Sequence, residues 1–336
     1  HLITDERVAD YGKAFPANGT HIVPSATLSL SRPWLLPSRL FRLLNGFMKA
    51  KAILGNLKPV AVVGFGGYPS FPPVLAAAWL KIPTCVHDQN AVMGRANRAL
   101  AYFVDAVASS FPALAELPKR ATGKVVVTGN PVRRVVMEQI AAPYQISNAD
   151  RIFHLLVFGG SQGARFFAEF MPKVIAELPR AILKTLRLSQ QCRAEDMKAL
   201  KLAYEELDLK HDLQPFFADM PKRIAAAHLV ICRSGASTIA ELGVIGRPAI
   251  MVPLPHAIDN DQLRNAESFA KAGGGWIKPQ AELEPIEFAA FLTRLRYQEG
   301  ELVAAAKAAL GHGKPDAAQR LADLVEKLAQ PEAETI

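Results

Sequence analysis

Short β-branched, apolar runs alternate with longer helical patterns along the chain, and this alternation restricts the fold more than any other feature of the sequence. The runs that read as strands are 21–24 (HIVP), 60–65 (VAVVGF), 84–87 (TCVH), 106–110 (AVASS), 124–129 (KVVVTG), 154–159 (HLLVFG), 183–189 (LKTLRLS), 229–233 (LVICR) and 249–253 (AIMVP). Between them lie helical patterns at 72–81, 162–178, 194–207, 236–245, 260–272 and 314–328. Nearly continuous apolar strands separated by helices predict parallel sheets covered on both faces. The two sets of strands predict two open α/β domains rather than one closed barrel. The sets part at 141–150 (AAPYQISNAD), a polar stretch with Pro143 that reads as a linker after a first domain of 1–140.

A chain of 336 residues, half of them apolar, is long enough for two such domains, each with its own core. The longest apolar run, 71–80, contains two prolines and is about half of the roughly 20 residues a membrane-crossing helix needs. Cys85, Cys192 and Cys232 are odd in number and widely spaced, which reads as free thiols rather than a disulfide framework or a metal set. The chain opens on His1 within HLITD, the tail of a strand already under way, and this predicts a missing N-terminal segment. No secretory pattern opens it.

The net charge of +8 is unevenly spread. Residues 1–134 carry 16 Lys and Arg against 6 Asp and Glu, a balance of +10; the rest, 23 against 25, is at −2. A basic first half predicts an anionic partner there: nucleic acid, a membrane surface or a phosphorylated substrate. No nucleic-acid module is present, and at 8% the aromatic content is low for base stacking, so nucleic acid is set aside.

In open parallel sheets ligands gather at the carboxyl ends of strands, which selects the loops that matter. In FGGSQGAR, Gly159, Gly160 and Gly163 permit positive φ and close backbone approach, Ser161 adds a hydroxyl, and a helix follows whose first N–H groups suit an anion. A packing turn gives the same pattern. A P-loop is excluded because no Gly-Lys-Ser/Thr follows, and a dinucleotide fingerprint is a poor match because the glycine spacing and the ribose acid are absent. The stretch CRSGASTIAE repeats the plan, with Ala236, Ser237 and Thr238 opening a helix and Glu241 in its early turns. That carboxylate can accept two ribose hydroxyls or simply complement the helix dipole. In PLPHAIDNDQ, the density of polar side chains from His256 to Gln262 suits a sugar or a solvated, capped loop; His256 has no partners at metal-ligand spacing. In the first half, Gly66, Gly67 and Tyr68 follow one strand, Asp88, Gln89 and Asn90 follow another, and Arg133 follows the Asn130–Pro131 turn. The segment 32–54 mixes Trp34, Phe41, Leu44 and Met48 with Arg39, Arg42, Lys49 and Lys51. It reads either as a helix lying on an anionic bilayer or as one packed on its own sheet.

Taken in order, GFGGYPS, HDQN, GNPVR, GGSQGA, CRSGASTIAE and HAIDNDQLRNA closely resemble the MurG family, the peptidoglycan transferases that add N-acetylglucosamine to undecaprenyl-diphospho-muramoyl-pentapeptide. The match extends over nearly the whole chain. The resemblance implies a GT-B fold, two Rossmann-like domains facing a cleft, with UDP-N-acetylglucosamine in a domain of 151–313. It also implies a lipid-linked acceptor in the first domain and a last helix, 314–330, returning to that domain. Carried over, it assigns Ser161 to the diphosphate, Glu241 to the ribose, the backbone near Phe217 to uracil, and Gln262 with the loop from Ala236 to the sugar. Asn90 and Arg133 are assigned to the acceptor side. The family commonly has Glu where this chain has Asp88, and its first glycine-rich loop, with a histidine, precedes His1.

The resemblance further implies inverting transfer without a metal or other cofactor. It implies a peripheral place on the cytoplasmic face of the bacterial inner membrane, against an anionic surface. The resemblance gives general base chemistry and acceptor-diphosphate binding first to the loop that precedes His1, which would leave this chain catalytically incomplete. Within the chain the general base stays unassigned, with Asp88, and behind it His87, as secondary candidates. Rival readings are another UDP-sugar enzyme of this fold (an epimerase or glycolipid synthase) and a nucleotide-sugar-binding module without catalysis. A nicotinamide-dependent oxidoreductase ranks behind both.

Overall fold

The computed structural model describes residues 1–7, 15–27, 33–140, 142–145 and 151–330, with the side chains of residues 33, 161–164 and 258 outside the description. The chain forms two compact units: 1–129 with 316–336, and 130–315.

In the first unit, β1 (Leu2–Thr4) pairs in parallel with β2 (Thr20–Ile22). A long helix α1 (Leu36–Leu57) follows, then β3 (Val62–Gly64), α2 (Phe71–Trp79), β4 (Thr84–Asp88), α3 (Arg95–Leu100), β5 (Ala106–Ser109) and β6 (Val125–Val127). Strands β3 to β6 form a parallel sheet in sequential order. Helix α1 can lie close on its neighbours because of Gly46: a Cβ there would sit 2.0 Å from the Pro24 carbonyl oxygen. It buries Leu43, Gly46, Ala50 and Leu54 and leaves Leu40, Phe41, Leu44 and Met48 exposed. Packing on its own unit therefore accounts for only part of its apolar surface.

The second unit begins with α4 (Arg134–Met137). It continues through β7 (Phe153–Phe158), α5 (Gly160–Ala176), α6 (Arg180–Thr185), β8 (Leu186–Gln191), α7 (Met197–Glu206) and β9 (Lys210–Gln214). Then come α8 (Met220–Ala226), β10 (Leu229–Cys232), α9 (Ala236–Ile245), β11 (Ala249–Met251), α10 (Asp261–Lys271) and β12 (Gly275–Ile277), closed by α11 (Pro285–Tyr297) and α12 (Glu299–His312). Its six parallel strands run β12-β11-β10-β7-β8-β9. The core is built from Leu155 and Val157 of β7, Leu188 of β8 and Ile231 of β10, under Phe167, Met171 and Ile175 of α5. The last described helix, α13 (Ala317–Ala329), belongs to the first unit, where Leu321, Leu324 and Val325 pack with Cys85, Ala106 and Ala108.

Three expectations change. The run 183–189 is half helix: Pro179 caps α6, which occupies the segment to Thr185, and the strand proper starts at Leu186. Strands β9 and β12 go unpredicted because both are sheet edges, one polar (KHDLQ) and one of three residues opening on glycine. The units divide between Gly129 and Asn130 rather than in 141–150. Residues 130–140 and 142–145 join the second unit because buried Arg247 donates to the carbonyls of Ala142 (3.1 Å) and Pro143 (3.3 Å), and Tyr144 donates to that of His228 (2.8 Å). Within the expected linker, residues 141 and 146–150 lie outside the described residues.

Candidate functional site: a crevice at the switch point of the second sheet

Strands β7 and β10 are neighbours, yet the chain leaves β7 toward β8 and β9 and leaves β10 toward β11 and β12. That reversal is where a parallel sheet opens a crevice at its carboxyl edge. The register places Phe158 beside Cys232, so the turns beyond them, Gly159–Gly160 and Arg233–Gly235, emerge side by side. Each leads directly into a helix, α5 and α9. Gly160 has φ of 64°, a left-handed conformation that glycine adopts without strain. The N-cap positions are Gly159 and Gly235, neither with a side-chain cap bond, so two sets of first-turn N–H groups converge with little capping. The Gly160 N–H is an exception, donating to Gln191 Oε1 at 3.2 Å. Converging helix N-termini of this kind suit a phosphate-bearing ligand.

A cavity of about 320 Å³ lies against these turns. Gly159, Gly160 and Gln191 line one side, Arg233, Gly235 and Thr238 another, and Phe216, Phe217, Met220, Gln262 and Arg133 complete it. Of the residues picked out in the sequence, Phe217, Thr238, Gln262 and Arg133 therefore meet in one hollow. Glu241, with a 13% exposed side chain, is joined to it through Arg133, whose Nη2 donates to Glu241 Oε1 at 3.1 Å. Ala236 and Ser237 stand on the first turn of α9, with Ser237 exposed. Ser161 is on the first turn of α5, but its side chain lies outside the described residues.

The sequence reading puts Arg133 on the acceptor side; in the structure it belongs to the second unit and its guanidinium meets the carboxylate assigned to the ribose. Arg133 is the N-cap of α4, which packs against α9, and that brings the two side chains together.

The Gln262 side chain braces the loop before its own helix, its Oε1 accepting from Leu254 N–H at 3.0 Å. In that loop His256, Asp259 and Asn260 all have positive φ, between 54° and 58°. Three such non-glycine residues together store strain that surrounding structure must hold.

Two residues of the crevice were missed by sequence reasoning. Gln191 ties the Gly160 amide to the Pro215 carbonyl (3.1 Å), and no motif marks it. Arg233 lies within a quoted motif but was given no role. It is 6% exposed, donates to the carbonyls of Val252 (3.0 Å) and Pro253 (3.1 Å) and to Gln280 Oε1 (2.6 Å), and sits over Phe166 and Phe167. Burial lowers it to about 10, so it stays charged at neutral pH.

In the first unit the selected loops again stand at strand ends. Gly66 and Gly67, with φ of 80° and 70°, follow β3 and lead into Tyr68, whose carbonyl accepts from Ser25 Oγ (2.6 Å). Asn90 follows β4. Gln89 joins the two loops, its Nε2 donating to the Phe65 carbonyl at 3.0 Å.

The proposed acid–base residues are scaffold. Asp88 is 2% exposed, and its carboxylate accepts from Asn90 N–H (3.2 Å), Gly94 N–H (2.8 Å) and Asn97 Nδ2 (3.0 Å), holding the 88–94 loop in shape. His87 is fully buried; its Nε2–H donates to the Gly129 carbonyl (2.9 Å), so Nδ1 is the acceptor, and Gln89 Nε2 meets it at 3.0 Å. Burial lowers its pKa, and both ring nitrogens are occupied. Among the described residues no three His, Cys, Asp or Glu side chains gather as metal ligands.

The fold is shared with a solved glycosyltransferase and a solved epimerase. A glycosyltransferase of kitacinnamycin aligns with a TM-score of 0.63 at 17% identity, over 98% of this chain and 91% of that one. The UDP-GlcNAc 2-epimerase of Neisseria meningitidis aligns with 0.59 at 14%, over 85% and 80%. At such identities the likeness is one of fold alone. The two parallel-sheet units and the switch-point crevice define a protein of the GT-B class.

The particular family follows from closer relatives. The glycosyltransferase family 28 C-terminal domain matches residues 154–321, and the family 28 N-terminal domain matches 1–109. A Mesorhizobium japonicum protein, the UDP-N-acetylglucosamine–N-acetylmuramyl-(pentapeptide) pyrophosphoryl-undecaprenol N-acetylglucosamine transferase, is 49% identical over 98% of this chain and 87% of its own length. Its namesake in Rhizobium leguminosarum is 48% identical over the same shares. The crystal structure of Acinetobacter baumannii MurG aligns with a TM-score of 0.73 at 29% identity, over 97% of this chain and 98% of that one. The chain belongs to glycosyltransferase family 28.

Proposed function

We propose that this chain transfers N-acetylglucosamine from UDP-N-acetylglucosamine to undecaprenyl-diphospho-muramoyl-pentapeptide, with inversion, in peptidoglycan synthesis. The observation that carries the reading is the crevice between the β7 and β10 turns, in a chain 49% identical to a transferase of that name. The donor's diphosphate takes the first-turn amides of α5 and α9, its ribose takes Glu241, its uracil lies along the wall at Phe217, and its sugar meets Gln262 and Thr238. As the acceptor hydroxyl attacks the anomeric carbon, negative charge grows on the departing diphosphate. Preorganised amides stabilise such charge by about 3 kcal/mol per well-placed donor, and buried Arg233 adds a fixed positive charge nearby. Transfer then needs neither metal nor cofactor. Neither His87 nor Asp88 is assigned the general base, since each is held by hydrogen bonds to its own loop or strand neighbours.

The acceptor's diphosphate is given to the glycine turn at Gly66–Gly67, beside Tyr68 and Asn90. Its lipid is expected to stay in an anionic membrane against which α1 lies, on the cytoplasmic face of the inner membrane. No described helix is long and apolar enough to cross a membrane. Support for surface binding comes from an apolar groove of about 730 Å³ formed by Leu40, Leu44, Phe47, Leu75, Trp79 and Phe103. Arg42, Lys49 and Lys51 lie on the same helix, with Lys51 Nζ 5.8 Å from the Trp79 ring. Each cation near an anionic surface contributes about 1 kcal/mol. Nucleic acid is not among the partners.

The test is transfer of labelled sugar to a lipid-linked muramoyl-pentapeptide in the presence of chelator. The reading requires product that depends on the acceptor and survives metal removal. Conversion of the donor without acceptor, as an epimerase would give, refutes it.

A further inference from the structure

The wall of the crevice at Phe217, given to the nucleobase under the proposed function, hangs from weak supports. Residues 215–219 join β9, an edge strand of five residues, to α8, a helix of seven, and carry Phe216 and Phe217 into the cavity lining. Neither support would fix a wall on its own, yet Phe217 is only 2% exposed. From the front, Gln191 reaches it through the Pro215 carbonyl. From behind, one side chain binds everything: Arg223.

Its guanidinium lies 4.0 Å from the Phe217 ring centroid. Nη1 donates to Asp212 Oδ2 on β9 (2.6 Å) and reaches Ser189 Oγ on β8 (3.4 Å), while Nε donates to Asp219 Oδ1 (2.8 Å) at the N-cap of α8. Ser189 and Asp212 face each other in the β8–β9 register. Arg223 therefore links two strands, the loop and the helix start, with a planar fork whose edge holds the carboxylates while its face covers the ring. Lysine has no such geometry.

We infer that Arg223 is a positioning residue for nucleobase recognition: by clamping Phe217 and the 215–219 loop to β8 and β9, it pre-forms the surface on which the uracil lies. This rests on the reading of the crevice as the donor site. Preorganisation of a binding wall acts on ground-state and transition-state binding alike, so its loss falls on KM rather than kcat. It should also fall on ligands that carry a base and spare those that carry only the diphosphate.

The experiment uses the full chain. UDP affinity is titrated calorimetrically, KM and kcat are measured for UDP-N-acetylglucosamine, and inorganic pyrophosphate is used as a base-free competitor. Arg223→Ala is expected to weaken UDP and raise KM about five- to tenfold, with kcat and pyrophosphate inhibition within about twofold. Arg223→Lys should fall between, and in a Phe217→Leu background the Arg223→Ala effect should shrink. Unchanged UDP affinity overturns the inference, as does pyrophosphate weakening in step with UDP, which would mean general loosening. If Arg223→Ala does not fold, Arg223→Lys and Asp212→Asn carry the same comparison. A wild-type chain that fails to bind UDP removes the donor-site reading itself, a result distinct from a wild type that binds and a variant that binds equally well.

Discussion

Replacing Glu241 by alanine should abolish most nucleotide affinity while leaving the fold intact. The carboxylate is 13% exposed and its partner is Arg133, whose side chain is 64% exposed. A hydrogen bond to a charged group is worth about 1.5–3 kcal/mol, so two ribose hydroxyls on one carboxylate give about 3 kcal/mol at the low end. From this comes off the Arg133 contact that the ribose displaces, about 0.2–1 kcal/mol for a pair so open to water. The remainder, about 2–3 kcal/mol, corresponds to a loss of about 30- to 150-fold in UDP affinity at 25 °C. Calorimetric titration of UDP into Glu241→Ala reads this directly. Because freed Arg133 is already solvated, no charge is stranded, and the thermal midpoint should stay within about 2 °C. A variant that binds UDP within about twofold of wild type refutes the assignment. One that loses affinity only by melting refutes the reasoning that separates site from scaffold.

Other consequences follow from the same structure. His228 is 7% exposed, and burial with nearby Arg296 and Arg247 holds it down to about 4. Its unfolded form takes up a proton near pH 6.5, so folding stability is lost as pH falls from about 6.5 to 4, by about 2–3 kcal/mol. Urea unfolding at pH 7 and pH 4.5 should show the drop, and a His228→Gln variant should show less of it. Gly46→Ala places a Cβ 2.0 Å from the Pro24 oxygen and should cost about 2 kcal/mol or more; an unchanged urea midpoint contradicts the packing described for α1. Phe41→Ser and Leu44→Ser, at side chains 71% and 58% exposed, should reduce sedimentation with anionic vesicles at low salt without lowering stability. Equal sedimentation would remove the membrane role of that face.

The parts of this molecule legible in its sequence are those that short-range physics dictates. Strand ends at Phe158 and Cys232 were visible because apolar runs stop abruptly at glycine and serine turns, and the helices that follow had to start there. Strand β9 was not visible, because an edge strand with Lys210, His211 and Asp212 carries no apolar signature. The contact of Arg133 with Glu241 was not visible, because the two are 108 residues apart and only the docking of α4 on α9 joins them. The Asp88 and His87 pair resembled acid–base machinery in one dimension. Three donors on one and two partners on the other, one of them 42 residues away, turn both into framework. Gln191 and Arg223 belong to no motif, since their work is to connect elements that tertiary structure alone brings together.

Where UDP sits on the second unit is the most direct test of the crevice as a donor site. A crystal structure of the chain with UDP should show the diphosphate against the amides of Ser161, Gly235 and Ala236, the ribose on Glu241 with Arg133 displaced, and the uracil beside Phe217. Nucleotide bound elsewhere, with the Arg133–Glu241 pair intact and the two glycine turns empty, would contradict it.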